Sequence, residues 1–376
     1  MEKLTLPQGA FQLARYPRRK KETLRAWDAA DEYLLQHLHE NRLPDARASV
    51  WILNDSFGAL SLALANHRPS MSSDSYLAHR GTLENLQNNN LSATDVRLSS
   101  SLQSPKGSFD LVLVKIPRNL ALLEDQLHRI RPYLHSATRV IGAGMVKAIH
   151  TSTLDLWDRL IGPTRTSLAK KKARLIFSQP DVEKKIDASP YPGQYTLEGT
   201  AYRITNHANV FSRERLDIGT RFFLDQIPRS ANFQNIVDLG CGNGVVGLVA
   251  AERNPEAELI FVDESFMAIA SAEINFHDAF GDRRKAQFQV TDCLSGIPAN
   301  SADLVLNNPP FHQQGAVGDA TAWQMFGESR DVLVQGGELW IVGNRHLAYH
   351  AKLKRLFGNC RVIASNRKFV VLKATK

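Results

Sequence analysis

The chain reads as an α/β protein made of two tandem Rossmann-like domains, 1–190 and 191–376, and three observations predict it. Short apolar runs alternate with helical patterns in each half, as parallel, doubly wound sheets require. Its 376 residues, 43% of them hydrophobic, exceed what one ordinary core holds. Features of the second half also recur, in the same order, in the first.

In the second half, Ile236-Val237-Asp238-Leu239 is a strand, Gly240 to Gly244 a tight turn, and Val245 to Glu252 the opening of a helix. Leu259 to Val262 is the next strand, ending at Asp263, and Ser265 caps a helix through Asn275. Ala286 to Val290 forms a third strand that ends at Asp292, and Ala302 to Leu306 a fourth that ends at Asn308-Pro309-Pro310-Phe311. Gly336-Gly337 introduces the strand Glu338 to Val342. Lys368 to Leu372 closes the sheet, this terminal pair making an antiparallel edge.

The first half overlays on this pattern. Val50 to Leu53 followed by Asn54 to Leu60 aligns with Val237 to Val246, so that Gly58 falls on Gly244. Asp74 falls near Asp263, and Phe109 to Val114 matches the strand from Ala302 to Asn307. Lys115-Ile116-Pro117 then stands where the second half has Asn308-Pro309-Pro310. The pattern predicts an internal duplication with a degenerate N-terminal copy.

Ligands of open α/β sheets bind beyond the carboxyl ends of the strands. Gly240, Gly242 and Gly244 let a bulky ligand approach the backbone, and the helix N-terminus behind them favours its polar groups. Their spacing is not the G-x-G-x-x-G of dinucleotide sites, and Asp238 would repel a pyrophosphate while suiting a cationic amino group. S-adenosylmethionine carries that group and no phosphate. Asp263 is placed to accept its ribose hydroxyls and Asp292 to reach its adenine amine. Asn308 and the Pro309–Pro310 peptide each offer a carbonyl that accepts from a planar amine, freeing its lone pair for a methyl donor. The prolines stiffen the turn and remove backbone donors, and Phe311 offers a face for a flat ring. The expected chemistry is therefore methyl transfer to a planar nitrogen, with catalytic residues Asn308, Pro309, Pro310 and Phe311, and with His312 read as a wall of the site or a hydrogen-bond donor.

The formal charge of +8 belongs wholly to the first half, where residues 1–190 carry 27 Lys+Arg against 19 Asp+Glu. Runs at Arg18-Arg19-Lys20-Lys21 and Lys170-Lys171-Lys172 with Arg174 predict a phosphate-binding surface. No stretch approaches a membrane span, and the proline-broken, basic N-terminus has no apolar core of a secretory signal. Three cysteines without metal-ligand spacing suggest neither disulfides nor a zinc site. A cytoplasmic setting without membrane partners is expected.

Asn209 to Ser212 with Leu216-Asp217-Ile218-Gly219-Thr220, then Val237 to Gly244, then Asn307 to Gln313, resembles the bacterial ribosomal RNA guanine-N2 methyltransferases. The ending Phe357-Gly358-Asn359-Cys360 with Lys368 to Lys373, and the degenerate first half, resemble the large-subunit branch in particular. That resemblance implies the class I methyltransferase fold and a cytoplasmic, monomeric enzyme. It further implies S-adenosylmethionine as methyl donor, N2-methylguanosine in 23S ribosomal RNA as product, and a first half that holds the RNA. The target guanosine is expected to be unpaired or flipped out, because the N2 amine is buried in a duplex. The residues leave open N6-adenine methylation of nucleic acid, small-subunit guanine methylation, a protein glutamine amide and a non-catalytic RNA-binding factor. The basic first half disfavours the protein substrate, and the intact Asn308 turn disfavours the non-catalytic one.

Overall fold

A computed structural model describes residues 1–19, 22–310 and 316–376, and the chain divides into two compact units, Met1–Tyr191 and Pro192–Lys376. The first opens on the hairpin β1 (Glu2–Leu6) and β2 (Gly9–Leu13), followed by α1 (Ala29–Glu40) and β3 (Val50–Leu53). It continues through α2 (Ala59–Ala63), β4 (Ser70–Ser73), α3 (Tyr76–Asn88), β5 (Arg97–Ser100), β6 (Leu111–Lys115) and α4 (Leu120–Ile130). β7 (Arg139–Met145), α5 (Thr151–Leu160), β8 (Thr164–Thr166) and β9 (Ala173–Ser178) complete it. The main sheet has the order β5-β4-β3-β6-β7-β9-β8. Every residue of β3 is buried, and so are Leu111 to Val114 of β6, because helices cover both faces of a parallel sheet and its central strands become continuous apolar runs. α1 lays the stripe Ala30, Leu34 and Leu38 on the core and is started by a reciprocal capping box between Asp28 and Asp31.

The second unit begins with a small antiparallel pair, β10 (Gly193–Thr196) and β11 (Arg203–Asn206), and then α6 (Ile218–Leu224). β12 (Asn235–Leu239), α7 (Val245–Arg253), β13 (Glu258–Asp263), α8 (Phe266–Phe280), β14 (Ala286–Val290) and β15 (Ala302–Asn307) follow. α9 (Ala316–Val332), β16 (Leu333–Asn344), α10 (Tyr349–Phe357), β17 (Arg361–Ser365) and β18 (Phe369–Thr375) end the chain. The sheet order, β14-β13-β12-β15-β16-β18-β17, repeats that of the first unit position for position. One apolar cluster, around Phe261, Phe276 and Leu304, covers one face and another, around Val237, Val305 and Phe326, the other. No helix of the described residues is long and apolar enough to cross a membrane.

Several expected boundaries move. The helix capped by Ser265 runs to Phe280 rather than Asn275. The Gly-Gly pair does not precede its strand: β16 already pairs at Leu333, and the register jumps from Ala302↔Leu333 to Leu304↔Glu338 around Gly336 at φ +82°. The edge strand is β17, absent from the sequence reading; β18 lies inside, antiparallel to both β16 and β17. Arg361 to Ser365 shows weak alternation because it is a largely exposed edge. Register also corrects the overlay. Leu53 pairs with Ser72 as Leu239 pairs with Val262, so Ser73, not Asp74, stands at the place of Asp263.

Candidate active site

Site residues collect where the chain leaves β12, β13, β14 and β15. The glycine turn is closed by the protein itself: Gly240 N donates to Val262 O at 2.8 Å and Gly242 N to Asp263 Oδ2 at 3.0 Å. The three glycines then differ. A Cβ on Gly242 (φ +55°) would meet nothing within 4 Å, which leaves its surface open to a ligand. On Gly244 (φ +80°) it would come 2.9 Å from Ala272 Cβ, so that glycine serves the packing of α7 on α8 rather than ligand approach. Gly240 is intermediate, with the Met325 methyl 3.4 Å away. Gly247, which the sequence did not single out, has no room for a Cβ against the Phe261 ring.

The helix N-terminus expected to meet the ligand is partly answered by the protein's own side chains. Asp238 Oδ2 accepts from Gly247 N at 2.8 Å, and Asn243 Oδ1 lies 3.4 Å from Val245 N as acceptor. Burial, helped by the charge of Asp263, pushes the Asp238 carboxyl up to about 7 against the pull of that hydrogen bond. Asp263 also accepts from Ser265 N through Oδ1 at 3.0 Å. Asp292 accepts from Gln324 Nε2 at 3.2 Å, a partner on α9 that no local pattern announced. Three carboxylates at neighbouring strand ends, two nearly buried, with the open backbone of Gly242, fit a cationic ligand without phosphate. S-adenosylmethionine has that chemistry.

Asn308 follows β15, one residue past Asn307, whose amide donates to Leu239 O at 2.7 Å and ties the two strand ends together. The Asn308 amide Nδ2 donates to Thr220 Oγ1 at 2.9 Å. Thr220 is on α6, where its own N–H donates to the N-cap carboxylate of Asp217 at 2.9 Å. This bond fixes the amide orientation and leaves Asn308 Oδ1 buried with no hydrogen-bond partner among the described residues. A buried acceptor without a donor costs about 1–3 kcal/mol, so the arrangement is suited to a donor that arrives with a substrate. Pro309 is buried and Pro310 exposed; Phe311 and His312 lie outside the described residues.

Thr205 and Asn206 are tied to α8 and to the glycine turn by an asparagine network. Asn243 Nδ2 donates to Asn206 Oδ1 at 2.9 Å, Asn275 Nδ2 to the carbonyls of Thr205 and Asn243, and Thr205 N to Asn275 Oδ1 at 2.7 Å.

At the matching place in the first unit the sheet carries different chemistry. Lys115 ends β6, its ammonium 2.8 Å from Asp28 and 2.6 Å from Asp31. Burial raises Asp31 to about 6 even so. Asp55, in the turn after β3, accepts from Ser61 N and Oγ and from Gly58 N. A fixed internal cation and its carboxylates occupy this strand end. The lysine run is partly tied up as well: Lys170 lies over the Tyr33 ring and Lys171 pairs with Glu32 at 3.1 Å. Lys20 and Lys21 lie outside the described residues.

Two family models match the chain. Residues 1–182 match a family model described as the RLMG N-terminal domain, and residues 201–373 the methyltransferase small domain. Ribosomal RNA large subunit methyltransferase G of Streptomyces avermitilis is 53% identical, with 99% of each chain covered. The proteins of that name from Aeromonas salmonicida, 52% identical over 97% of this chain and 96% of its own, and Pseudomonas aeruginosa, 51% over 98% of each, are similar. A solved structure of the Thermus thermophilus 16S rRNA N2 G1207 methyltransferase RsmC, with AdoMet and guanosine, covers 100% of this chain and 97% of its own. Its TM-score of 0.74 at 19% identity supports the class I methyltransferase fold. Sharing about half its residues with these relatives along nearly its whole length, the chain belongs to the ribosomal RNA large subunit methyltransferase G family.

Proposed function

We propose that the protein transfers a methyl group from S-adenosylmethionine to the exocyclic N2 of an unpaired or flipped guanosine in large-subunit ribosomal RNA, as a cytoplasmic monomer. The second unit is the catalytic one. The first is a degenerate duplicate that holds RNA, a reading supported by the repeated strand order and by Lys115 at the place of Asn308. The buried Oδ1 of Asn308, without a hydrogen-bond partner among the described residues, carries the reading.

Bound S-adenosylmethionine supplies a methyl group activated on a sulfonium. Asp238, Asp263 and Asp292, with Gly240 and Gly242 and the packing glycine Gly244, form its proposed site; the carboxylates answer its ammonium, ribose hydroxyls and adenine amine. Asn308 Oδ1 and the Pro309 carbonyl accept the two N–H bonds of the guanine amine. These acceptors turn its lone pair out of conjugation and stabilise the positive charge the nitrogen gains, more strongly in the transition state than before it. Pro310 holds the turn, and Phe311 stacks on the base. Alignment of nucleophile and methyl supplies most of the acceleration. The proton leaves to water, so no general base is assigned.

Asn308→Ala is expected to abolish methyl incorporation from labelled S-adenosylmethionine into ribosomal RNA while cofactor and RNA binding persist. Undiminished incorporation by that variant would overturn the assignment.

A further inference from the structure

A groove of about 870 Å³ opens in the first unit between α1 and the antiparallel strands β7, β9 and β8. It is not the strand-end site. Arg139 on its wall is the first residue of β7, paired with Leu111 at the start of β6, whereas Lys115 ends β6. Its lining includes Arg139, Arg165 and His37 and contains no Asp or Glu. Strand register sets Phe177 of β9 directly opposite Arg165 of the edge strand β8, and the guanidinium lies 4.8 Å from the ring centroid. The His37 ring, from α1, stands 4.9 Å from the same phenyl group. Burial holds His37 below the usual imidazole range, and the charges of Arg165 and Arg139 lower it further against the pull of Glu40. The wall thus presents two exposed guanidinium groups around a half-buried aromatic platform, with Tyr33 also in the lining.

We infer that this groove binds a single-stranded segment of the RNA substrate: Arg139 and Arg165 hold phosphodiesters, and a base takes the Phe177 face that the Arg165 guanidinium covers in the free chain. The inference rests on the RNA-substrate reading above. Guanidinium forks match phosphate oxygens geometrically. Aromatic faces take unpaired bases, which a duplex keeps stacked and out of reach. An acidic peptide would satisfy the arginines and leave the platform unused. Two members of the lysine run, by contrast, are engaged within the fold, Lys170 over the Tyr33 ring and Lys171 with Glu32.

The test measures binding of the full-length protein to a short, fluorescein-labelled single-stranded RNA of mixed sequence, by anisotropy over a range of salt. Arg139→Gln with Arg165→Gln is expected to weaken binding roughly tenfold and to lower the slope of log affinity against log salt by about 1.4, two phosphate contacts' worth. Arg139→Lys with Arg165→Lys should keep most of the slope, and Phe177→Leu should weaken binding with the slope unchanged. Cofactor binding by the charge variants should match wild type, which separates a lost groove from a lost fold. Wild-type RNA binding that the glutamine pair leaves untouched, or displacement of the RNA by polyglutamate as readily as by unlabelled RNA, overturns the groove alone. Failure of the wild-type chain to bind RNA overturns the RNA-substrate reading and the groove with it.

Discussion

In the proposed site, one hydrogen bond decides which atom of Asn308 is offered. Its Nδ2 is anchored to Thr220, which leaves Oδ1 as the presented atom. Thr220→Val removes the anchor while preserving shape, and kcat should fall roughly tenfold, about the 1.4 kcal/mol of one well-placed hydrogen bond. Thr220→Ser should recover most of it, and the cofactor Kd should not move in either variant; equal kcat in all three would remove Thr220 from the account. Asp238 gives a second test. Its carboxyl is raised in the fold to about 7, so its contribution to stability is full below the usual carboxylate pKa and is lost as pH rises through about 7. A bound cation favours the ionised form. Cofactor affinity should therefore strengthen as pH rises through about 7, with proton release on binding detectable by calorimetry in buffers of different ionisation enthalpy. A pH-independent Kd would show that Asp238 does not sense the ligand's charge. The sequence made Asn308 and Asp238 legible because both directly follow or lie within strands. Thr220 and Gln324 acquire their roles only through partners 88 and 32 residues away, beyond the reach of any local pattern.

At the scale of elements, the glycine turn separates an open position, Gly242, from a packed one, Gly244. Gly242→Ala should weaken cofactor binding at a stability cost of about 1 kcal/mol, since its left-handed backbone tolerates a Cβ in open space. Gly244→Ala should lower stability by about 1–3 kcal/mol, read as a fall in the denaturation midpoint, because its Cβ enters the α7–α8 contact. The reverse ranking would contradict the division of roles. Strands such as β12, β13 and β15 were readable because burial on both faces makes them uninterrupted apolar runs. β17 was hidden by its exposure, and α9 by the Gly, Asp and Ser scattered through Ala316–Val332. Gly336-Gly337 misled because glycine marks a bulge inside a strand as readily as a turn before one.

Across the whole molecule, two sheets with one strand order bear opposite strand-end chemistry. The second presents carboxylates and an amide oxygen with no hydrogen-bond partner among the described residues; the first buries Lys115 between Asp28 and Asp31. The substitution at Asn308's counterpart was visible in sequence, but the carboxylates that neutralise the lysine come from α1 and its cap, 87 and 84 residues earlier, and only the fold joins them. The partition of charge between halves was equally legible, while the groove around Arg165 and Phe177 depends on strand register that composition does not reveal. The central claim is that the second unit methylates guanine N2. Its most direct test is nucleoside analysis of large-subunit ribosomal RNA from cells lacking the gene, after incubation with purified protein and labelled S-adenosylmethionine. Label in N2-methylguanosine, absent with Asn308→Ala, is the expected result; label in N6-methyladenosine, or in no nucleoside, would contradict it.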